Sequence, residues 1–317
     1  MENKHKTVEY GKYGYFFLVP FFLVFLVFQF YPLIYTFWKS LFFAKATGPH
    51  SEPELVFGLM NFSEYVFKDG SEFWPSLLIT VGLWLMNFIP QILLSLLLAA
   101  WFTDAHNKLK GQGAYKVIMY MPNIITAASL AFLFNALFQV DGVLTNFMRK
   151  LGMNIPDDGI LLHGWYSFFI IAFIQFWMWY GNTMIVLIAG IMGISPSLYE
   201  AAMVDGASAR QQFFKITLPL LRPILQYTMV TSCIGGLQMY DIPQLFNKGL
   251  PLIKMGEGAA AKSVSSTKTI VMLIKSFIEA GNKQDLGRAS AYSVVLFFIT
   301  LVVSLLFYVL TSEKKEK

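Results

Sequence analysis

The segment EAAMVDGASARQQFFKITLPLLRP, residues 200–223, is rich in alanine and in charge, and it lies between two long apolar runs. The run before it covers about residues 165–194, and the run after it covers residues 223–240. A helix needs about 20 apolar residues to cross the hydrocarbon core of a bilayer with its backbone polar groups satisfied. The segment is therefore predicted to join two membrane-spanning helices.

The composition of the whole chain also indicates a membrane protein. Hydrophobic residues make up 56% and charged residues 14% of the 317 residues, and the mean hydropathy is +0.55. In soluble domains about a quarter of the residues are charged. Basic residues that flank spans on the cytoplasmic side explain the net charge of +5, so no nucleic-acid partner is required. One cysteine, Cys233, excludes a disulfide within the chain.

Six uncharged runs predict an all-α, polytopic membrane protein with six transmembrane helices. They cover residues 14–38, 73–103, 117–140, about 165–194, 223–240 and 289–311. Gly235 and Gly236 in the fifth run predict a bend, or a place where another backbone comes close. Residues 269–280 are too few to span and include Lys275 and Glu279, so they predict an amphipathic surface helix inside the last large loop.

An even number of spans places both termini on the same side of the membrane. Lysine and arginine are denser on the shorter segments of that side, which favours cytoplasmic termini. The predicted organisation is a cytoplasmic tail over residues 1–13, a membrane domain over residues 14–312 that includes the loop 196–223, and a second cytoplasmic tail over residues 313–317.

The loop 196–223 has the pattern of two short helices. Ser197 and Glu200 have capping-box spacing just after Pro196, and Asp205 with Gly206 predicts the end of the first helix.

Ser208 and Gln211 repeat the capping-box spacing and predict the start of a second helix, which Pro219 is expected to break. Apolar side chains that could enter a groove on a partner are Leu198, Tyr199, Phe213 and Ile216. A connector that lies flat on the membrane surface is the alternative interpretation of the same pattern.

The loop resembles the EAA loop of ABC importer membrane subunits. The matching residues are Glu200, Ala201, Ala202, Gly206, Ile216, Leu218 and Pro219, and the branch that carries oligosaccharides, related to the maltose permease subunits, adds Asp205, Ala207, Phe213 and Pro223. YPLIYTFWKSLF, residues 31–42, resembles the end of the family's first helix, and LGRASAYSVVLFF, residues 286–298, resembles the start of its last. The resemblance therefore covers nearly the whole chain.

The resemblance implies a type I ABC importer permease fold and a set of partners. These are a second permease subunit, two cytoplasmic ATPase subunits, and an extracellular or periplasmic binding protein that delivers a sugar across a bacterial plasma membrane. Residues 200–207 would form the coupling helix that sits in a groove of an ATPase subunit, with Ile216, Leu218 and Pro219 behind it. ATP and Mg would bind to those ATPase subunits, so this chain would be a transport subunit with no cofactor of its own.

The residues themselves also offer no catalytic or metal site. The four histidines, His5, His50, His106 and His163, are far apart and lack metal-ligand spacing. GEGAAAKS, residues 256–263, falls short of a phosphate-binding loop because Ala261 stands where a glycine should precede the lysine.

The predicted spans contain no ionisable residue, which favours a neutral, hydroxyl-rich solute over a coupling ion. Asp241, at the outer end of the fifth span, comes closest. Residues with helical spacing on the fourth and fifth spans form the predicted substrate pathway: Gln175, Met178, Trp179, Asn182, Ser232, Gly235, Gly236 and Met239. Their amides, hydroxyl and indole suit sugar hydroxyls and the apolar face of a pyranose ring, although polar residues of this kind also hold helices together.

Two alternatives and two departures from the family pattern accompany this prediction. The same importer class could move a glycerol phosphodiester or an amino-sugar, or the loop could serve only as a regulatory docking surface.

The family's glycine-rich turn after the fifth span is replaced by NKGLP, residues 247–251, within a long lysine-bearing outer loop, residues 247–287. Residues 43–72 are also too few for the folded domain that some maltose-type subunits insert there.

Overall fold

The computed structural model describes residues 11–45, 53–104, 110–255 and 262–311. Its α-helices are α1 (Gly11–Phe25), α2 (Tyr31–Ser40), α3 (Phe73–Thr103), α4 (Gln112–Ile124), α5 (Ala127–Phe138), α6 (Val143–Lys150), α7 (Gly164–Met192), α8 (Pro196–Val204), α9 (Ala209–Gln212), α10 (Leu218–Leu220), α11 (Arg222–Leu237), α12 (Asp241–Asn247), α13 (Ile270–Ala280) and α14 (Lys283–Thr311). Short π-helical turns cover Leu26–Phe30, Phe62–Val66 and Phe213–Thr217, and a 3₁₀ turn covers Ile160–Leu162. The strands β1 (Phe42–Lys45) with β2 (Glu54–Phe57), and β3 (Leu252–Met255) with β4 (Lys262–Ser265), form two antiparallel hairpins.

The chain is a multi-pass, predominantly α-helical membrane protein, as the apolar runs predict. Within the described residues, four helical stretches are long and apolar enough to cross a bilayer: Tyr13–Ser40, α3, α7 and α14. The predicted spans 14–38, 73–103 and 165–194 coincide closely with the first three of them. The last begins at Lys283, six residues before the predicted start at Ala289.

The third predicted span, residues 117–140, is not one continuous helix. It consists of α4 and α5, which meet at an angle of 88°. The break follows from a helix cap, because Thr126 adopts an extended conformation and its hydroxyl accepts a hydrogen bond from the Ser129 amide. Counted as one span, this bent pair raises the number of candidate spans in the described chain to five.

The fifth predicted span is also shorter than expected. The helix α11 has 16 residues and ends at Leu237, which is short of the length that a single crossing needs. Gly235 and Gly236 lie inside this helix, so the bend predicted there occurs later, at Gln238–Tyr240, before α12 begins. The prediction of six full-length spans is therefore not confirmed by the helices themselves.

The predicted short helix at 269–280 is observed as α13. Its first turns are buried rather than lying on a surface, because Ile270 and Leu273 have no exposed area and Met272 and Ile274 are nearly covered. The Ile270 amide donates a hydrogen bond of 2.8 Å to Thr80 Oγ1 of α3. The start of this helix is thus fixed to the membrane helices.

The described chain divides into two compact units. The smaller combines the N-terminal 70 residues with Phe277–Leu296, and the larger contains Ser71–Ser276 with the C-terminal end from Phe297. In the smaller unit the Arg288 guanidinium lies over the rings of Phe277 and Tyr65, at 4.1 and 5.0 Å from their centroids. Asn61 Nδ2 donates to the carbonyls of Ser40 and Phe42, which joins the end of α2 to the first hairpin.

The core of the larger unit is the pairing of α3 with α7. Polar side chains tie the two helices together, because Gln91 Nε2 donates to Thr183 Oγ1 at 2.7 Å and Ser95 Oγ donates to the Tyr180 carbonyl at 2.7 Å. Gly181 of α7 lets α4 approach, since a Cβ at this glycine would lie 2.4 Å from the Met119 carbonyl oxygen. These contacts leave one face of α3 and α7 open toward α11.

Candidate functional site

A cavity of about 490 Å³ lies in the larger unit, between α3, α7 and α11. Its volume falls in the range of sites that hold small ligands, which is roughly 300–1,000 Å³. All eight residues of the predicted substrate pathway line it: Gln175, Met178, Trp179, Asn182, Ser232, Gly235, Gly236 and Met239. The structure brings these residues to one place, and their contact with a solute stays a prediction.

The helix α7 contributes two amides, a thioether and an indole to the wall of the cavity. The spacing of Gln175, Met178, Trp179 and Asn182 places them on one helical face. Gln175 and Met178 are 7% and 8% exposed, whereas the Trp179 indole is 43% exposed. The amides of Gln175 and Asn182 make no hydrogen bond to any described residue, so both are available to a solute.

Two adjacent glycines on α11 have different surroundings. A Cβ at Gly236 would lie 2.1 Å from Cδ1 of Trp84, so this glycine allows the indole of α3 to pack against the backbone of α11. A Cβ at Gly235 would meet no heavy atom within 4 Å, so this glycine faces the open cavity. The Trp84 indole N–H also donates to Ser232 Oγ at 3.1 Å. This hydrogen bond fixes the Ser232 side chain, which lies on α11 with the two glycines.

The sequence reasoning missed the contribution of α3 to the cavity. Trp84, Asn87 and Gln91 line it together, and their spacing of three and four residues places them on one face of an otherwise apolar helix. This is the same signal that identified the α7 residues. Gln238 and Asp241, at the break between α11 and α12, line the cavity as well.

The first helix of the loop, α8, begins at Pro196, and its N-cap Ser195 makes no side-chain capping bond. The predicted capping box at Ser197 and Glu200 is wrong, because Ser197 lies inside the first turn and its hydroxyl pairs with the Ser195 hydroxyl at 2.8 Å. The predicted stop is confirmed, since the helix ends before Asp205 and Gly206 has a φ of +77°.

The second predicted capping box is present. The Gln211 amide donates to Ser208 Oγ, and the Ser208 amide donates to Gln211 Oε1 at 2.8 Å. The chain continues through α9, the π-helical turn and α10, so the prediction that Pro219 ends this helix is wrong. Pro219 lies within this continuing helical path, in the first turn of α10, and the path turns at Leu221.

The apolar residues exposed on the loop differ from those expected. Leu198 is exposed as predicted, but Tyr199 is half-buried because its hydroxyl pairs with Thr217 Oγ1 at 2.9 Å. Phe213 and Ile216 are half-buried too. Val204, which the sequence did not single out, is 88% exposed at the end of α8.

The nine residues of the predicted coupling contact fall into two groups. Those on the outer surface are Glu200, Ala201, Asp205 and Gly206, and those half-buried behind it are Ala202, Ala207, Ile216, Leu218 and Pro219. A second cavity of about 910 Å³ lies under the loop, between α8 and the ends of α3, α4 and α7. The exposed residues of α8 lie at the surface, and the contact of this helix with an ATPase stays a prediction.

No group of three or more metal-ligating side chains occurs within the part of the chain that the structure describes. His163 pairs with Asp158 at 3.0 Å in an exposed loop. The other three histidines, and residues 256–261 of the GEGAAAKS segment, lie outside the described residues.

Comparisons with known proteins extend over almost the whole chain. No family model matches it. The lactose transport system permease protein of Rhizobium radiobacter is 27% identical over 306 residues, which are 96% of this chain and 96% of that protein. The trehalose/maltose transport system permease protein of Thermococcus litoralis is 28% identical over 306 residues, which are 94% of this chain and 92% of that protein.

The fold is similar to that of a solved structure. A chain of a bacterial ABC transporter involved in the import of the acidic polysaccharide alginate superimposes with a TM-score of 0.74 and 22% identity, over 98% of each chain. This likeness concerns the backbone arrangement.

Proposed function

We propose that this chain, which is a permease subunit of the ABC importers for sugars, carries an oligosaccharide through the cavity between α3, α7 and α11. The observation that supports this most is the set of amides that line the cavity without a partner among the described residues: Gln175, Asn182 and Gln238. Amides donate and accept hydrogen bonds, so they match the hydroxyl groups of a neutral sugar in either direction. Trp179, partly exposed at the same cavity, offers an indole face for a pyranose ring.

The driving force for transport comes from partner subunits in this proposal. The loop from α8 to α10 docks against one of two cytoplasmic ATPase subunits, which hold ATP and Mg, and their closure moves α7 and α11 as rigid bodies. Gly206 allows the tight turn between α8 and α9, and the exposed side chains of Leu198 and Val204 provide an apolar contact on the surface of α8.

The complete importer includes a second permease subunit and an extracellular or periplasmic sugar-binding protein. We place it in a bacterial plasma membrane, with residues 1–13 and 313–317 as cytoplasmic tails. The side of the two tails follows from the distribution of basic residues. The bacterial plasma membrane follows from the family resemblance.

Uptake of labelled di- to pentasaccharides by cells that express the complete importer tests this function. We expect one sugar class to accumulate, and Gln175→Ala to reduce its uptake about tenfold at unchanged membrane abundance, because a buried amide loses its hydrogen bonds to the sugar. Gln139→Ala removes an amide of the same type from an exposed site outside the cavity and should leave uptake unchanged. Absence of uptake for every sugar, or equal loss in both variants, would contradict the proposal.

A further inference from the structure

The cavity contains a single charge among its described lining residues, and that charge is negative. Asp241 lines the cavity at the start of α12, and every other described lining residue is neutral. The free amides of Gln175, Asn182 and Gln238 have no preference for either sign of charge, because each carries both donors and acceptors. Asp241 is therefore the charged group of the described cavity wall that can favour one sign of charge in a solute.

The carboxylate of Asp241 is not neutralised by a neighbour. It makes neither a hydrogen bond nor an ion pair with any described residue, and its side chain is exposed. The ammonium group of Lys275 contacts Tyr240, the residue before Asp241, because Lys275 Nζ donates to Tyr240 Oη at 2.6 Å and lies 4.3 Å from the centre of the Tyr240 ring. Tyr240 is neutral and leaves the positive charge of Lys275 in place, so Lys275 is a cation beside this end of the cavity while Asp241 is the charged residue among the described lining.

We infer that Asp241 determines which charge class of sugar passes the cavity, excluding acidic sugars and admitting neutral and amino-sugars. This inference rests on the proposed function, since it narrows the substrate class of the same cavity. A cleft focuses the field of a fixed charge, so the charge acts over a longer range there than in bulk water and repels solutes of like sign. Sugar hydroxyls donate charge-assisted hydrogen bonds to a carboxylate, and an ammonium group forms an ion pair with it.

The first test measures the potential in the cavity without any sugar. Cys233, the single native cysteine, is replaced by alanine, and Gly235→Cys places a thiol where the structure leaves open space. In membranes that contain the complete importer, the rates of modification by a cationic and an anionic methanethiosulfonate are compared, each divided by its rate with a small thiol in solution.

We expect the normalised rate of the cationic reagent at this position to be about tenfold higher than that of the anionic reagent. Asp241→Asn should bring the ratio of these two rates close to unity. Asp241→Glu should keep the ratio, and Asp241→Lys should reverse it. Val143→Cys, at a residue that is 71% exposed on α6, is the matched control, and its ratio should not respond to Asp241→Asn. A ratio at Gly235→Cys that Asp241→Asn leaves unchanged would overturn the inference.

The second test measures sugar selection. A neutral trisaccharide and two derivatives, one with a single carboxylate and one with a single ammonium group, compete with uptake of the labelled neutral sugar. We expect the carboxylate derivative to compete about tenfold less well than its parent in wild type, and Asp241→Asn to remove most of this difference. The inference would also be overturned if Asp241→Asn lowered the ratio of cationic to anionic modification but left the relative competition by the three sugars unchanged. Wild-type importer that takes up no sugar would refute the proposed function instead, and the cysteine ratio would still decide whether Asp241 sets the charge of the cavity.

Discussion

The cavity and the coupling loop differ in what holds their residues in place. Most cavity residues lie on α3, α7 and α11, whose faces are fixed by packing, as when Trp84 packs against Gly236 and Gln91 bonds to Thr183. The loop residues lie on two short helices joined at Gly206, over an open space of about 910 Å³. A change in the cavity should therefore alter helix packing or solute contact, whereas a change on the loop should alter coupling and leave the fold intact.

The largest expected effect concerns the turn of the loop. Gly206→Asp should reduce sugar uptake by more than about tenfold at unchanged membrane abundance, because a residue with a Cβ resists the positive φ at this position. Gly152 has nearly the same φ of +79° and equally open surroundings, but it lies outside the loop. Uptake measured in Gly152→Asp controls for backbone strain alone, and an equal loss in both variants would contradict a specific role of the turn.

The paired glycines of α11 test the packing of the cavity. Gly236→Ala should lower the free energy of unfolding by about 1–3 kcal/mol, because its new methyl group would overlap the Trp84 indole. Gly235→Ala meets open space and should leave stability unchanged while it narrows the cavity. Thermal unfolding in detergent, with membrane abundance in parallel, measures the difference, and equal stability of the two variants would contradict the packing described here.

A substitution at the exposed end of α8 distinguishes an effect on coupling from an effect on folding. Val204→Ser should leave thermal stability unchanged, since the side chain is 88% exposed, and should reduce uptake about threefold if the valine contacts an ATPase subunit. Val143→Ser, at a residue that is 71% exposed on α6, is the matched control. Full uptake by the Val204→Ser importer would show that Val204 is not part of the coupling contact.

The smallest expected effect concerns the bond that braces the loop. Tyr199→Phe removes the hydroxyl that pairs with Thr217, and such a hydrogen bond contributes about 1 kcal/mol. We expect a modest rise in sugar-independent ATP hydrolysis, because α8 would be held less firmly against the π-helical turn. Unaltered hydrolysis and uptake would show that the bond does not brace the loop.

The two regions also differ in what the sequence could predict. Helical periodicity placed the predicted residues of α7 and α11 at one cavity because a helix has a fixed relation between spacing and face. Met239, predicted on the same helix as Ser232, lines the cavity from the break after α11 ends at Leu237. The same rule applied to Trp84, Asn87 and Gln91 would have found the face of α3. Sequence spacing could not reveal which of the two glycines, Gly235 or Gly236, packs against Trp84, because that contact is tertiary.

The errors in the sequence-based prediction have local physical causes. The span 117–140 was predicted as continuous because Thr126 interrupts no apolar run, yet its cap bond to Ser129 starts a new helix. The break at Gln238–Tyr240 has neither glycine nor proline to mark it. On the loop, Val204 was overlooked because hydropathy does not indicate that an apolar side chain is exposed.

ATP hydrolysed per sugar transported, in liposomes that contain the complete importer, tests most directly whether the loop and the cavity act in one transport cycle. We predict that Gly206→Asp hydrolyses ATP without a sugar-dependent increase and transports almost no sugar. Gln175→Ala should retain sugar-stimulated hydrolysis, but only at sugar concentrations about tenfold higher. Transport by Gly206→Asp at the wild-type ratio of ATP to sugar would contradict the account.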